Sequence, residues 1–582
     1  MRYLLMFFAF AMTMAFAQAQ VLVDGKFEEW ENIEAAYTDA PNDGRIFGVD
    51  FGKLQIYNDP NFIFFLLETT REINLQNDND LTIYLDTDMN ASTGLAVNGI
   101  GAELVYEFGN KTGLTYLSGS VFSVGHDDLF LVTAPTVTST KFEIAFRRDT
   151  RLFGFSLFPS NRFRVVFEDK SFNGDVLPSE RGGITHTFGD VIQEPMPDYS
   201  IQQVANSDFR VLSYNVLSNG IFSASKEARF GRILRAVDAQ IIGFQEAYDV
   251  GASQFLSTME RLQPSEAGER WYHADVAPDI HVLSRFPILD SYRIRGYNGG
   301  QGNGAFLIDV PGVPKKLLFI VLHPPCCNNE DNRQFELDAV MAFLRDVREG
   351  RAPLQVEEGA PIIIAGDMNL VGGQDQLETL LTGNIDDERT FGPDFRPDWN
   401  ESDLVDGHPY TTNLPMSFTW FDERSSFSPG RLDFCIYSGS NLELQNSFAL
   451  FTETLPQDSL ITYGLLASDA ISASDHLPIV ADFRWRRTTS AVEAVAAAQI
   501  SLELFPVPTS GTTTASFDLP EAATLSLDLV DTQGKVSALL SGQKLAAGRH
   551  SFSFDASQFA KGVYVLRVNT GDFVVTQKLV IL

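Results

Sequence analysis

Six strand-like apolar runs in this chain each bring a polar, titratable or metal-binding side chain to one end of a strand. The clearest run, PIIIAGDMNL (361–370), passes through three isoleucines and an alanine and then presents Asp367 and Asn369. The other five runs present, in chain order, Asn215, Glu246, His323, Asp433, and the pair Asp475 and His476. One polar residue after a strand usually only starts a loop, but six repeats in one region indicate a common rim. Buried strands fix the positions of such groups better than loops do.

The residue types in this set suit a hard divalent cation. Asn215, Glu246 and Asp475 offer oxygen ligands, which Mg²⁺ and Ca²⁺ prefer, and no Cys/His cluster has the spacing of a zinc site. The two histidines, His323 and His476, are available for proton transfer or for binding a phosphoryl oxygen. The set therefore predicts metal-assisted acid–base chemistry.

Asp367 and Asn369 share one face of an extended segment, because side-chain direction repeats every second residue along a strand. Together they are placed to hold a nucleophilic water and an oxyanion. Such an arrangement stabilises an in-line displacement at phosphorus, where a metal ion neutralises developing charge.

The order of the motifs carries a resemblance to a known family. The series SYNVL, GFQEAY, VLSRFPIL, VLHPP, AGDMN, FTWF…RLDF and SDHLPI is similar to the endonuclease/exonuclease/phosphatase superfamily over residues 206–486. In this region strands alternate with helical stretches, which favours helices covering a sheet. The resemblance implies a central α+β domain with four layers, α/β/β/α, and phosphoric ester hydrolysis that depends on Mg²⁺, Mn²⁺ or Ca²⁺.

The resemblance also implies a role for each residue of the set. Glu246 chiefly holds the metal, with Asn215 and Asp475 nearby. Asp367 and Asn369 align the attacking water and the scissile phosphate.

The same resemblance assigns the acid–base groups. His476 is the general base or a phosphate contact, oriented by Asp433, and His323 contacts the phosphate or protonates the leaving oxygen. The carboxylate that pairs with the first histidine in the deoxyribonuclease branch has no clear counterpart in VAPDIHVLSRFP. That departure argues against a pair of histidines that both act in proton transfer.

Several residues inside or near the motifs have structural interpretations. Arg285 and Arg431 are expected to brace the sheets, and His408 is expected to be a solvated loop histidine. The adjacent Cys326 and Cys327 have three open states: a vicinal disulfide, one bridge to Cys435, or free thiols.

The first residues indicate export. MRYLLMFFAFAMTMAFAQAQ combines Arg2, a short apolar run and small residues before a cleavage point, which is typical of a signal peptide over 1–19. The run is short for a membrane anchor, and no other stretch is long and apolar enough to span a bilayer. Three cysteines are too few for a disulfide scaffold. The formal net charge of −33 argues against a protein that binds nucleic acid through general positive charge, but it is compatible with one that meets phosphate through bound metal ions and a few local cations.

Residues 20–200 are rich in short β-like runs separated by Asn, Asp and Gly, which predicts a β-sandwich. VLVDGKFEEWENI and YLDTDMNASTG resemble the opening and an inner loop of family 9 carbohydrate-binding and DOMON-type modules, which implies a polysaccharide ligand. Asp86, Asp88 and Asn90 alternate as oxygen ligands of a Ca²⁺ ion would, and an ordinary polar turn is the equal alternative. Trp30 is expected in the core rather than on a sugar-binding surface.

The C-terminal residues form a separate β-rich segment. An Ala-rich linker over 487–499 precedes residues 500–582, whose Pro-containing opening and GVYVLRV strand resemble the sorting domain of the type IX secretion system. The alternative is a generic terminal sandwich that mediates adhesion. The resemblance implies contact with the secretion machinery and a secreted or surface-attached protein.

The chain is thus predicted to be multidomain, as expected when cores stop growing at roughly 250–300 residues: an N-terminal β-sandwich, a central four-layer α+β domain and a small C-terminal β-sandwich. The favoured function is an extracellular nuclease acting on DNA or RNA. Alternatives are a sphingomyelinase-like phospholipase C or a phosphomonoesterase, and a glycan-binding surface protein with a degenerate catalytic domain.

Overall fold

The computed structural model describes residues 20–44, 48–189, 196–297, 302–486, 502–519, 523–531, 535–569 and 574–582. The predicted signal peptide (1–19) and linker (487–499) lie outside the described residues. The chain divides into two compact units, Met1–Arg486 and Arg487–Leu582. The first unit contains both the predicted N-terminal sandwich and the predicted catalytic domain, and the domain boundaries within it stay predictions.

The N-terminal region is built on two main sheets. The first has the order Ala35–Thr38, Phe51–Asn58, Phe62–Ile73, Ser139–Arg147, Val132–Ala134. The second has the order Val176–Leu177, Arg162–Asp169, Leu81–Asp86, Leu104–Glu107, Thr112–Leu117, Ser120–Val124, with Ile184–Thr187 also paired to Arg162–Asp169. Two short hairpins, Leu95–Val97 with Ile100–Ala102 and Arg151–Leu152 with Phe155–Ser156, and the helical turns Glu28–Asn32 and His126–Leu129 complete it.

The strand Phe62–Ile73 is buried on both faces over its first half. Ile63, Phe65 and Leu67 enter the core between the two N-terminal sheets. Alternate side chains of a strand point to opposite faces, so Phe62 and Phe64 enter a different core.

That second core is shared between the N-terminal sheets and the central domain. It contains Trp30, which is 1% exposed, together with Met416, Phe418 and Phe451 of the central domain. The backbone of Val23 adds two hydrogen bonds across the same boundary, from its N–H to the Pro415 carbonyl and to its carbonyl from the Ser417 N–H. The prediction that Trp30 is a core residue is confirmed.

The central domain has two sheets. The first has the order Tyr272–Asp275, His281–Ser284, Ile241–Gln245, Phe209–Asn215, Ile479–Trp485, Leu442–Ala449, Tyr410–Thr411. The second has the order Ile288–Ile294, Asn303–Ile308, Leu317–Leu322, Ile362–Asp367, Asp433–Tyr437, Val405–Asp406. The helices are Glu227–Val237, Ala252–Leu262, Glu330–Arg348, Asp375–Thr382, Glu388–Phe391, Gln457–Tyr463 and Asp469–Ala473, with 3₁₀ turns at Gly220–Phe222 and Thr452–Thr454.

Inner strands of the central domain, such as Leu317–Leu322 and Ile362–Asp367, are buried along their length because each packs on both faces. Phe319 and Val321 lie in a core that joins the two sheets. Leu318 and Ile320, between them in sequence, pack in another core with Leu337 of the helix Glu330–Arg348. Burial on both faces requires apolar residues at every position, as in LLFIVL. A strand with one face in water would instead alternate apolar and polar residues.

The C-terminal unit is β-rich. One sheet has the order Glu503–Phe505, Thr512–Leu519, Gly548–Asp555, and the other has the order Val536–Leu545, Ala523–Asp531, Gly562–Asn569, Val574–Ile581, with a 3₁₀ turn at Ala556–Gln558. Phe517 of the first sheet and Leu527 and Leu566 of the second share one core. The motif GVYVLRV lies in the strand Gly562–Asn569, where Leu566 is fully buried.

Candidate active site

The strand ends of the two central sheets meet at one point. Phe209–Asn215 and Ile241–Gln245 pair in parallel, so Asn215 and Glu246 emerge at the same edge of the first sheet. Asp367 ends a strand of the second sheet. The Nδ2 of Asn215 donates to Asp367 Oδ2 at 3.0 Å and to Glu246 Oε1 at 3.1 Å. The predicted convergence of these three side chains is therefore present.

Glu246 follows its strand in the left-handed conformation, with φ of 61°. Its Oε2 accepts a hydrogen bond of 2.7 Å from the backbone N–H of Ser218. Burial alone would raise the pKa of Glu246, but the hydrogen bonds from Asn215 and Ser218 and the nearby histidines outweigh burial and lower it. The carboxylate is thus kept ionised, as a metal ligand must be.

His476 is held between two carboxylates. Its Nδ1 lies 2.8 Å from Asp433 Oδ2, and its Nε2 lies 3.5 Å from Asp367 Oδ2. Thr419 Oγ1 donates to the same Asp433 oxygen at 2.7 Å and so fixes that carboxylate. Burial lowers the pKa of His476, but the charges of Asp433 and Asp367 and the hydrogen bond to Asp433 raise it to about 10. The sequence-based pairing of His476 with Asp433 is present in the structure.

His323 has the matching arrangement, which the sequence reading missed. Its Nδ1 lies 2.5 Å from Asp279 Oδ2, and its Nε2 lies 3.7 Å from Asp367 Oδ2. Asp279 is fully buried and belongs to VAPDIHVLSRFP, so the expectation that this segment lacks the partner carboxylate was wrong. The acid precedes the strand His281–Ser284 and follows no apolar run. Asp433 and Asp475 also stand at or before the start of a strand, so the strand-end pattern could have found Asp279 as well.

Burial by itself lowers the pKa of His323, while the hydrogen bond to Asp279 and the charge of Asp367 raise it above its ordinary value. Burial and the neighbouring Asp433 raise the pKa of Asp367, against the opposing effect of the two histidines. The centre of the site is thus a carboxylate flanked by two imidazoles, each of which has its own acid on the far side.

The remaining predicted residues border the same space. Asp475 Oδ2 accepts from the indole N–H of Trp420 at 3.2 Å. Asn369 has φ of 51°, its backbone N–H donates to Asp367 Oδ1 at 3.1 Å, and its Nδ2 donates to the Pro324 carbonyl at 3.1 Å. A cavity of about 870 Å³ is lined by predicted residues from both sheets: Glu246, His323, Asp367, Asn369, Asp475 and His476.

The donor set fits a hard divalent cation. Glu246 and Asp475 present carboxylates to the cavity, and ligand atoms of Asp367, Asp433 and His476 all lie within 4.8 Å of one another. Asn215 turns its amide nitrogen towards the two carboxylates, while its Oδ1 accepts from the Leu217 N–H at 3.0 Å. In this orientation Asn215 positions the acids rather than offering its oxygen.

The predicted calcium loop is a hydrogen-bonded turn with an additional acid. The backbone N–H of Asn90 donates to Asp88 Oδ1 at 2.8 Å and to Asp86 Oδ1 at 3.1 Å, and Arg164 pairs with Asp86 at 3.1 Å. Glu103, which sequence spacing did not suggest, brings a carboxylate within 4.8 Å of Asp86 and Asp88. Calcium binding here stays a prediction.

The arginines near the motifs are structural, as expected. Arg285 lies 3.9 Å from the centre of the Trp271 ring, and Arg431 pairs with Asp406. The expectation that His408 is solvated was wrong: it is buried, and its Nδ1 lies 2.8 Å from Arg431 Nη1. A polar motif such as VDGHPY can be buried when a second domain covers it.

No disulfide bond joins any of the three cysteines in the structure. The sulfur atoms of Cys326 and Cys327 lie 2.7 Å apart at the exposed rim of the cavity, whereas Cys435 is buried in the core between the two central sheets.

Comparison with known proteins agrees with this geometry. Residues 212–476 match the family model of the Endonuclease/Exonuclease/phosphatase family. The central domain is similar to this family over those residues. It is the domain of a metal-dependent phosphoric ester hydrolase, which confirms the resemblance drawn from the motifs. No curated protein matches the chain.

Solved structures similar to this chain include truncated Caenorhabditis elegans TDP2, with 17% identity over 47% of this chain and 97% of that chain and a TM-score of 0.32. The human Nocturnin catalytic domain with bound sulfate has 16% identity over 50% of this chain and 97% of that chain, with a TM-score of 0.32. ANGEL2, described as a 2',3'-cyclic phosphatase and bound to adenosine-2',3'-vanadate, has 18% identity over 48% of this chain and 95% of that chain, also with a TM-score of 0.32.

The C-terminal unit has its own match. Residues 503–582 match the secretion system C-terminal sorting domain, which confirms the predicted sorting domain and indicates a secreted or surface-attached protein. In the described part of the chain, no helix has the length and apolar character that crossing a bilayer requires.

Proposed function

We propose that the protein is an extracellular phosphodiesterase that cleaves nucleic acid. The observation that carries the proposal is the pair of acid-bound histidines whose Nε2 atoms lie 3.5 and 3.7 Å from one oxygen of Asp367. The attacking water can therefore lie on one side of the Asp367 carboxylate, and the leaving group of the substrate on the other side. A site with that symmetry suits displacement at a tetrahedral phosphorus.

The proposed roles follow from which atoms face the cavity. Asp367 holds the attacking water and accepts its proton as the water oxygen bonds to phosphorus. His323 donates a proton to the leaving oxygen as the phosphorus–oxygen bond to that group breaks. His476, which two acids favour in its protonated form, contacts a phosphoryl oxygen, so the phosphate-contact role is better supported than the general-base role. Asn369 borders the same position and aligns the phosphate.

Glu246 and Asp475 are proposed to hold a divalent cation, with Asn215 keeping Glu246 in place. When bound, the cation neutralises charge that develops on the phosphoryl oxygens. The oxygen-only donor set favours Mg²⁺, Mn²⁺ or Ca²⁺ over zinc.

We also propose the domain limits 20–200, 206–486 and 500–582, and the four-layer order for the central domain. Two-sided packing of the strands Phe209–Asn215 and Leu317–Leu322 supports that order, because one face of each strand meets the other sheet and the opposite face meets helices.

The test is a parallel screen of purified protein with Mg²⁺, Mn²⁺ or Ca²⁺. The substrates are single-stranded DNA, RNA, sphingomyelin, p-nitrophenyl phosphate and bis(p-nitrophenyl) phosphate. We expect diester cleavage that EDTA stops and that falls by roughly 100-fold or more in Glu246→Ala and His476→Ala. Full activity in either folded variant, or cleavage of sphingomyelin or the monoester alone, would overturn the nuclease assignment.

A further inference from the structure

The N-terminal region forms one wall of the catalytic cavity. The residues involved are Asn74, Gln76 and Asn77, which we call the N-terminal wall; they line the same 870 Å³ cavity as Glu246 and His476. They follow the strand Phe62–Ile73, whose other end is fixed in the shared core. The cavity volume is within the range of roughly 300–1,000 Å³ that small-molecule sites occupy.

The wall is tied to the central domain by hydrogen bonds on both sides. Asn74 Nδ2 donates to the Val371 carbonyl at 3.2 Å, and the Ser428 N–H donates to Gln76 Oε1 at 2.9 Å. The ammonium group of Lys111 donates to the Gln76 carbonyl at 2.8 Å. The wall is therefore positioned before any substrate arrives.

Two side chains at the wall are available to a ligand. Lys111 Nζ donates to Asn77 Oδ1 at 3.2 Å, which fixes the amide, while Asn77 Nδ2 donates to none of the described residues. Phe427 lines the cavity, is 40% exposed and lies under the same ammonium group at 4.5 Å. Trp420 adds a second ring, fixed by its hydrogen bond to Asp475.

The residue types that line the cavity favour some classes of phosphodiester substrate over others. Among the described residues, no lysine or arginine lines the cavity, and the chain carries a net charge of −33. Duplex DNA needs several cations along its backbone, so this surface does not suit it. An unpaired nucleobase needs a flat ring to stack on and an amide that meets its edge. Phe427 supplies the ring and Asn77 of the N-terminal wall supplies the amide.

We propose that the N-terminal wall, with Phe427 and Trp420, is a subsite for one unpaired nucleobase next to the scissile phosphate. The inference rests on the proposed phosphodiesterase function and deepens it. It makes the N-terminal region part of substrate recognition in the catalytic site.

The test compares two esters that release the same p-nitrophenolate: thymidine 5'-(p-nitrophenyl phosphate), which carries a nucleobase, and bis(p-nitrophenyl) phosphate, which does not. The variants are Asn77→Ala and Phe427→Ala. The matched control is Asn110→Ala, because Asn110 lies in the same region outside the cavity and its amide donates to Glu107. We expect KM for the thymidine ester to rise roughly 5- to 150-fold in Phe427→Ala, since stacking on one ring contributes that much. Asn77→Ala should raise the same KM with kcat unchanged.

The outcomes separate the two claims. If wild-type protein cleaves neither ester with any divalent metal, the proposed function fails. If it cleaves both and the two variants keep the wild-type KM for the thymidine ester, or lose activity equally on both esters, the nucleobase subsite is refuted. In competition, unlabelled single-stranded DNA should inhibit at lower concentration than duplex of the same sequence; equal or stronger inhibition by duplex also overturns the inference.

Discussion

Replacing Asp279 by asparagine keeps the size of the side chain and removes the charge that holds His323. The carboxylate Oδ2 lies 2.5 Å from His323 Nδ1, both groups are buried, and Oδ1 of Asp279 has no partner among the described residues. Among the described residues, the hydrogen bond to His323 is therefore the side-chain contact through which Asp279 acts.

The magnitude follows from that contact. A hydrogen bond to a charged group contributes roughly 1.5–3 kcal/mol, which corresponds to a factor of about 10–150 if it is lost only from the reacting arrangement. Residues that orient a functional histidine typically change activity by about 10–100-fold, which agrees. We expect kcat on bis(p-nitrophenyl) phosphate to fall by about 10–100-fold in Asp279→Asn, with KM changed much less.

A pH profile distinguishes orientation from general damage. Asp279 raises the pKa of His323, so removing its charge lowers that pKa. If His323 donates a proton, the alkaline limb of kcat/KM moves to lower pH in Asp279→Asn. The control is Asp398→Asn, since Asp398 is equally buried but hydrogen-bonds Ser440 away from the cavity. A folded Asp279→Asn enzyme within about 2-fold of wild type, with an unchanged profile, would refute the reasoning.

Three further predictions concern stability, thiols and metal. Trp30→Phe should lower the free energy of unfolding by about 2 kcal/mol, because it removes the 2.8 Å hydrogen bond to the buried Glu143. Denaturant titration measures this, and a change below about 0.5 kcal/mol would contradict it. A thiol reagent should modify Cys326 and Cys327 in the native protein and Cys435 only after unfolding, and three reactive thiols in the native state would show that the core is open. Adding Mg²⁺ or Mn²⁺ to EDTA-treated protein should raise the melting temperature in proportion to the logarithm of metal concentration, and no shift at millimolar metal would count against a metal site.

The sequence was most informative where chemistry coincides with strand ends. Glu246 and Asp367 follow aliphatic runs and Asn215 follows an alternating apolar run, and the structure brings the three side chains within hydrogen-bonding distance. Burial on both faces makes those runs recognisable, and the shared edge makes their ends meet.

Features that depend on contacts between distant segments were not predictable in this way. Asp279 meets His323 across 44 residues of sequence, and Glu103 joins Asp86 and Asp88 only because neighbouring strands pair. His408 is buried because the N-terminal region covers it: its Nε2 lies 3.4 Å from Asp24, far away in sequence. Local pattern carries no information on which loops another domain will cover.

The core shared by Trp30, Phe64, Met416 and Phe418 has a practical consequence for producing and reshaping this enzyme. A truncated version that begins near residue 206 would carry bare aromatic and aliphatic surface where the missing partner had packed, and aggregation during expression is the expected result. For the same reason, evolution cannot exchange the first region for another module as freely as it exchanges tethered domains, since a replacement would have to reproduce half of a hydrophobic interior.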